Sequence, residues 1–186
     1  MQKPPTDLLQ SISADGKYLN VIIETPKGSR VKYAYDPPTG MLIVSKVLPA
    51  GMVFPFNFGF VPKTLAADGD ALDVLILNEE PLIAGCFLTV RPIAVIEATQ
   101  AETENRRPAR NDRVIGQAIS KELPLKMQEL KLDKIVAAQI SLFFTTYNGL
   151  YGKKFKMLGI GGPSKAKAII ERSVALYNQK RPVGPT

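Results

Sequence analysis

Three carboxylates crowd into six residues at Asp68-Gly69-Asp70-Ala71-Leu72-Asp73, directly ahead of the apolar run Val74-Leu75-Ile76-Leu77. Carboxylates at this density repel one another, and a hard divalent cation, Mg²⁺ or Ca²⁺, is the usual reason to gather them. Gly69 permits a tight turn, so Asp68 and Asp70 can point into one cavity, while Asp73 needs a bend to join them. The plainer account is a polar turn capping a strand. An EF-hand loop fails: Glu79 stands twelfth from Asp68, but Leu72 is fifth and Asp73, not glycine, is sixth. The chain has no histidine, which excludes imidazole-built zinc sites and any histidine base or relay.

The elements that must position this cluster are mostly strands. Tyr18–Glu24 is β-branched and stops at Pro26-Lys27-Gly28. Lys32–Tyr35 and Met41–Val47 flank the turn Asp36-Pro37-Pro38-Thr39-Gly40 and predict a hairpin. Leu72–Leu77, Cys86–Val90 and Ile93–Glu97 continue the β pattern, with Val114–Ala118 as the last strand and the polar stretch Gln100–Asn111 as a surface loop. Residues 1–17 read as a weakly ordered or helical lead-in. The period then changes. Leu132, Ile135, Val136, Ile140, Phe143, Phe144 and Tyr147 recur at helical spacing up to Asn148-Gly149. A second helix follows Gly161-Gly162-Pro163, with Ser164 as N-cap and Ile169, Ile170, Val174 and Tyr177 on its buried face. Short strands followed by two helices predict one α+β, mainly β domain over residues 1–186, its strands closed as a small barrel.

A hydrophobic share of 45% in 186 residues is enough for a full core. No run approaches the roughly 18 apolar residues of a membrane span, and MQKPPTDLLQ lacks a signal-type apolar region. Cys86 is the only cysteine, which excludes internal disulfides and points to a reducing cytoplasm. The net charge of +7 lies in the C-terminal part: residues 114–186 carry 12 basic and 4 acidic side chains. This excess suits an anionic ligand, nucleic acid or solubility alone.

Taken in order, several segments resemble the soluble family I inorganic pyrophosphatases. They are Ile23-Glu24-Thr25-Pro26, Lys32-Tyr33, Thr39-Gly40, Phe54-Pro55-Phe56-Asn57-Phe58-Gly59-Phe60, Asp68-Gly69-Asp70 with Asp73-Val74-Leu75, and Arg91-Pro92. The likeness resumes at Phe143-Phe144 and Tyr147. It implies an OB-like five-stranded β-barrel with flanking C-terminal helices, often assembled as hexamers in bacteria. It also implies hydrolysis of pyrophosphate to two phosphates with several Mg²⁺ ions. Asp68 and Asp73 would ligate metal, Asp70 would serve as general base, and Glu24 would support the metals through water. Lys32, Lys46 and Tyr147 would hold phosphate. Each has a plainer reading: exposed strand lysines, a core tyrosine, a carboxylate facing water.

The departures bear on activity. Ala34 stands at a usually acidic position, Lys46 at a usual arginine, Phe54 and Phe58 at usual tyrosines, and Asn148 at a usual lysine. Lys153 or Lys154 would supply the missing cation. A six-residue insertion before Arg113-Val114-Ile115 aligns Arg113 with a phosphate-site lysine and Asn111 with a metal-ligating aspartate. Asp112 beside it becomes the substitute metal ligand, and Glu102 or Glu104 the other. Asn111-Asp112-Arg113 could equally be a charged turn into a strand. An alternative function is therefore a catalytically weakened relative that binds a phosphorylated ligand or a partner. A nucleic-acid groove ranks last, because the aromatics of Phe54–Phe60 lack interleaved cations and acids follow them.

Overall fold

A computed structural model describes residues 9–103, 105–119 and 131–180. Its nine strands there are β1 (Leu19–Thr25), β2 (Val31–Asp36), β3 (Met41–Val47), β4 (Asn57–Val61), β5 (Leu72–Ile76), β6 (Phe87–Ala101), β7 (Ala109–Arg110), β8 (Arg113–Ile119) and β9 (Lys154–Gly161). Two helices, α1 (Lys134–Gly149) and α2 (Pro163–Lys180), complete the described fold. Strands pair in the order β1-β4-β5-β8-β6, and β6 returns to β1. The ring is therefore a closed five-stranded barrel, which leaves none of these five strands with an open edge. Only the β5–β8 pairing is parallel. The α+β, mainly β, OB-like expectation holds.

Inside the ring lie Leu19, Val21, Ile23, Val61, Leu72, Val74, Ile76, Val90 and Val114, with Ile170 of α2 packed against them. A second, aromatic core lies outside it, where Phe54, Phe58, Leu75, Ile96 and Ile115 meet Ile140, Phe143, Phe144 and Tyr147 of α1 and Phe155 of β9. The alternation of β5 divides the two: Leu72, Val74 and Ile76 enter the barrel, while Leu75 faces the aromatic core. Asp73 shares that outer face with Leu75.

Three strand expectations change. Cys86–Val90 and Ile93–Glu97 are one strand of 15 residues, β6, which passes through Pro92 by a register irregularity between Pro92 and Ala94. Proline lacks the donor for the ladder, and the irregularity absorbs that loss. Strand β4 runs through the Phe/Gly-rich segment, where a Cβ on Gly59 would sit 2.3 Å from the Ile22 carbonyl oxygen, so only glycine lets β1 and β4 approach. Strand β9 fills the stretch before the second helix and pairs with β6, so Val114–Ala118, within β8, is not the last strand. The Gln100–Asn111 loop is shorter than expected, since Gln100 and Ala101 belong to β6 and Ala109–Arg110 form β7.

Asp133 caps α1, its Oδ1 accepting from the Ile135 and Val136 N–H groups at 2.9 Å each. Ile135 itself is exposed, contrary to its place in the apolar stripe. For α2 the Gly162 carbonyl accepts the first helical bonds from Lys165 and Ala166, with Pro163 in the first turn. Ser164 is thus inside the helix rather than its cap. Of the predicted buried face Ile170 is buried, whereas Ile169, Val174 and Tyr177 are half-buried. Residues 9–18 form turns and an Ile12–Leu19 bridge, not a helix, and residues 1–8 lie outside the description. No helix among the described residues is long and apolar enough to cross a membrane.

Candidate functional site

A cavity of about 740 Å³ opens between the barrel, the β2–β3 hairpin and α1. Glu24, Asp68, Asp70 and Asp73 line it together with Lys32, Lys46, Lys153, Arg113 and Tyr147. The aspartate turn hangs on backbone bonds: Ala66 N–H donates to the Asp70 carbonyl at 2.7 Å, and Gly69 N–H to the Ala66 carbonyl at 3.2 Å. Gly69 takes a φ of +97°, which a side chain would strain. Thr64 braces the far end, with Oγ1 donating to the Val61 carbonyl at 2.6 Å and accepting from Leu72 N–H at 2.9 Å.

Burial shapes the charge of the acidic wall. It pushes the Glu24 carboxyl up to about 7, partly opposed by the Tyr35 N–H that donates to Glu24 Oε1 at 2.7 Å. It also pushes Asp73 up to about 6 against the pull of Arg113 and Lys32, and moves Asp68 upward. The charges of neighbouring aspartates add to all three shifts. Among the described residues no three acidic or thiol groups close tightly enough to form a ready-made metal cage. The donor chemistry still fits hard divalent cations, because four carboxylates line one cavity and burial disfavours charge on Glu24, Asp68 and Asp73 without a counter-ion.

Cations line the same cavity. Lys32 and Lys46 face each other across the β2–β3 ladder, a placement that like charges disfavour unless an anion joins them. Both ammonium groups lie over the Tyr147 ring, at 6.0 and 5.4 Å, and Lys46 lies 4.2 Å from the Tyr151 ring centre. Burial, then the charges of Lys153 and Lys32, lower the Lys46 pKa. The Tyr147 hydroxyl is buried without a hydrogen-bond partner, and burial raises its pKa, so it remains a donor. Arg113 is buried 4.5 Å over the Phe144 ring, its Nε 3.4 Å from Asp73 Oδ2 and without a hydrogen-bond partner. Buried polar groups left open in this way are those an incoming anion would satisfy.

The remaining candidates divide. Asp112 is not brought to the cavity: its carboxylate accepts from the Ala98 N–H at 3.0 Å and is clasped by Arg110 at 2.8 Å. The expectation of a metal ligand there is corrected by strand alternation, since Asn111 and Arg113 on either side of it line the cavity. Glu102 reaches the rim but pairs with Lys153, which holds its carboxyl below the usual range. Glu104 lies outside the described residues. Gln100 and Asn148 also line the cavity, so its second side presents amides beside cations. The sequence marks Asn148 only as a departure from a usual lysine, and its place on α1, like that of Gln100 on β6, brings it to the cavity.

The raised carboxyls give a pH dependence. Glu24 and Asp73 hold protons at higher pH folded than unfolded, where the ordinary values are 4.5 and 3.8, so stability falls as pH rises through about 4 to 7. Glu97 and Glu102, shifted downward, act only at more acid pH. The metal-free protein should therefore melt at a higher temperature at about pH 5.5 than at about pH 7.5, and saturating Mg²⁺ should shrink the difference. A melting temperature in EDTA that climbs over this interval would contradict the assignment of buried, cation-starved carboxyls.

Known proteins are similar to this chain in sequence and fold. The family profile described as "Inorganic pyrophosphatase" matches residues 21–178. The inorganic pyrophosphatase of Agrobacterium fabrum is 37% identical over 161 residues, which is 86% of this chain and 89% of that protein. That of Saccharolobus solfataricus is 36% identical over 165 residues, 87% of this chain and 92% of the relative. The crystal structure of inorganic pyrophosphatase from Thermus thermophilus superposes with a TM-score of 0.78 at 30% identity, covering 91% of this chain and 97% of that one.

Proposed function

Because the chain belongs to the inorganic pyrophosphatase family, we propose that it hydrolyses inorganic pyrophosphate to two phosphates with Mg²⁺ as its cation. The observation that carries this reading is the cavity itself, where Glu24, Asp68, Asp70 and Asp73 share one lining with Lys32, Lys46, Arg113 and Tyr147. Pyrophosphate is a multiply charged anion, and an anionic nucleophile cannot approach it until that charge is offset. Asp68 and Asp73, with Glu24 behind them, would hold Mg²⁺, which when bound neutralises phosphoryl oxygens and acidifies water. Asp70 accepts the proton of the attacking water. Lys32 and Lys46 grip one phosphate over the Tyr147 ring, and the unpartnered Tyr147 hydroxyl and Arg113 Nε donate to its oxygens. Lys153, released from Glu102, adds its charge at the rim.

The amides Gln100 and Asn111 favour a second reading. Fewer carboxylates on that side would hold fewer cations, leaving a weakened enzyme that binds a phosphorylated ligand. One assay separates the two: purified protein is given pyrophosphate and Mg²⁺, and released phosphate is followed. Turnover abolished by EDTA is expected, and release no faster than in buffer would overturn the enzymatic reading. We place the protein in a reducing cytoplasm, on the strength of its single cysteine, and as a homo-oligomer, hexameric as in bacterial relatives. Met41, Ile43, Val44 and Val47 stand exposed along β3 and support that assembly.

A further inference from the structure

Asp112 has a task at the corner between β7 and β8. Thr99 pairs with Arg110 and Ile96 with Arg113, so the register against β6 runs unbroken and sets Ala98 opposite Asn111. A regular antiparallel pair there would exchange two backbone hydrogen bonds. One is kept, from Asn111 N–H to the Ala98 carbonyl at 3.0 Å. The other is rerouted: Ala98 N–H donates to Asp112 Oδ1 at 3.0 Å. The Asn111 carbonyl instead accepts from Arg113 Nη1, also at 3.0 Å.

Arg110 steadies the exchange. Its Nε and Nη2 donate to Asp112 Oδ2 at 3.2 and 2.9 Å, and Nη2 also reaches Glu97 Oε1 at 3.1 Å. The other Glu97 oxygen accepts from Lys165 Nζ of α2 at 2.6 Å, which ties the corner to the helix packed on the barrel. Apart from the Asn111 carbonyl, Arg113 is held by the Phe144 and Phe155 rings and by Asp73 at 3.4 Å.

We propose that Asp112 is a positioning residue for Arg113: its carboxylate stands in for the Asn111 carbonyl on the β6 ladder and so frees that carbonyl to aim the guanidinium into the cavity. The proposal rests on the reading of the cavity as a phosphate site. Two variants separate the acceptor from the charge. Asp112→Asn keeps an oxygen for Ala98 N–H, whereas Asp112→Ala keeps none, and the Ala98 N–H then reclaims the Asn111 carbonyl.

The test is calorimetric titration of inorganic phosphate in Mg²⁺ buffer, alongside steady-state kinetics, on wild type and both variants. Asp112→Ala should weaken phosphate binding and raise the KM for pyrophosphate by about tenfold, the size of one charge-assisted hydrogen bond. Its kcat should change by less than about threefold, and Asp112→Asn should stay within about threefold of wild type throughout. Phosphate affinity equal in all three proteins would overturn the proposal, as would Asp112→Asn failing as badly as Asp112→Ala. A weakened Mg²⁺ half-saturation in both variants would overturn it too, by making Asp112 a metal ligand. A wild type that turns over no pyrophosphate defeats the proposed function instead, and the phosphate titrations still judge Asp112.

Discussion

Asp70→Asn should lower kcat for pyrophosphate by about 10²–10⁴-fold, the range associated with one positioned general base. The amide keeps the size and much of the polarity of the carboxylate but has no site to take a proton from water. The turn should survive. Its structural bonds run through the Asp70 backbone, to Ala66 N–H and to Asp68 Oδ1, and the Asp70 side chain is exposed. KM and melting temperature should therefore stay near wild-type values, which separates lost chemistry from lost fold. A kcat within a factor of about two of wild type would remove Asp70 from the role of base.

That residue was legible before any fold was known, because Asp68, Asp70 and Asp73 lie within six positions and one short turn carries two of them. Lys32 and Lys46 were harder, since an isolated strand lysine says nothing. The hairpin register that sets them face to face turns two ordinary cations into a pair awaiting an anion. The corner at Asn111-Asp112-Arg113 shows where reading stops. The family likeness set Arg113 at a phosphate-site lysine and Asn111 at an aspartate. Three polar residues in a row do not say whether Asp112 joins them, and that was decided on β6, by the pairing of Ile96 and Thr99 more than ten residues upstream. Chemistry favoured the carboxylate Asp112, whereas the pleat turned Asn111 and Arg113 to the cavity.

The missed strands have similar causes. All five residues of β4 are buried, so the period-two alternation that marks a half-exposed strand is absent, and its glycine and proline neighbours suggest a loop. Strand β9 does alternate, with Phe155 buried between exposed Lys154 and Lys156, but Gly159 and Gly161 blur the pattern towards its end. These two strands matter to the site: β4 pairs Phe60 with Asp73, and β9 carries Phe155 beneath the guanidinium of Arg113.

Arg113→Met tests that guanidinium directly. Methionine keeps apolar contact with the Phe144 and Phe155 rings but removes the charge that faces Asp73. Breaking a buried pair leaves an uncompensated charge, at a cost of about 3–5 kcal/mol when both partners are fully enclosed. Asp73 retains 25% of its side-chain exposure, so a loss near about 2 kcal/mol is expected in urea unfolding of the metal-free protein. The Asp73 carboxyl should move further above about 6, because Arg113 is its strongest downward influence. Mg²⁺ should then stabilise the variant more than it stabilises wild type, since the cation supplies the charge that Arg113 no longer offers Asp73. Phosphate affinity should nevertheless stay low with Mg²⁺ saturating, because the metal replaces the partner of Asp73 and not the donor that faces the anion. Equal Mg²⁺ stabilisation of both proteins would show that Arg113 and the metal do not share Asp73. Wild-type phosphate affinity in the variant would remove Arg113 from the anion's side of the cavity.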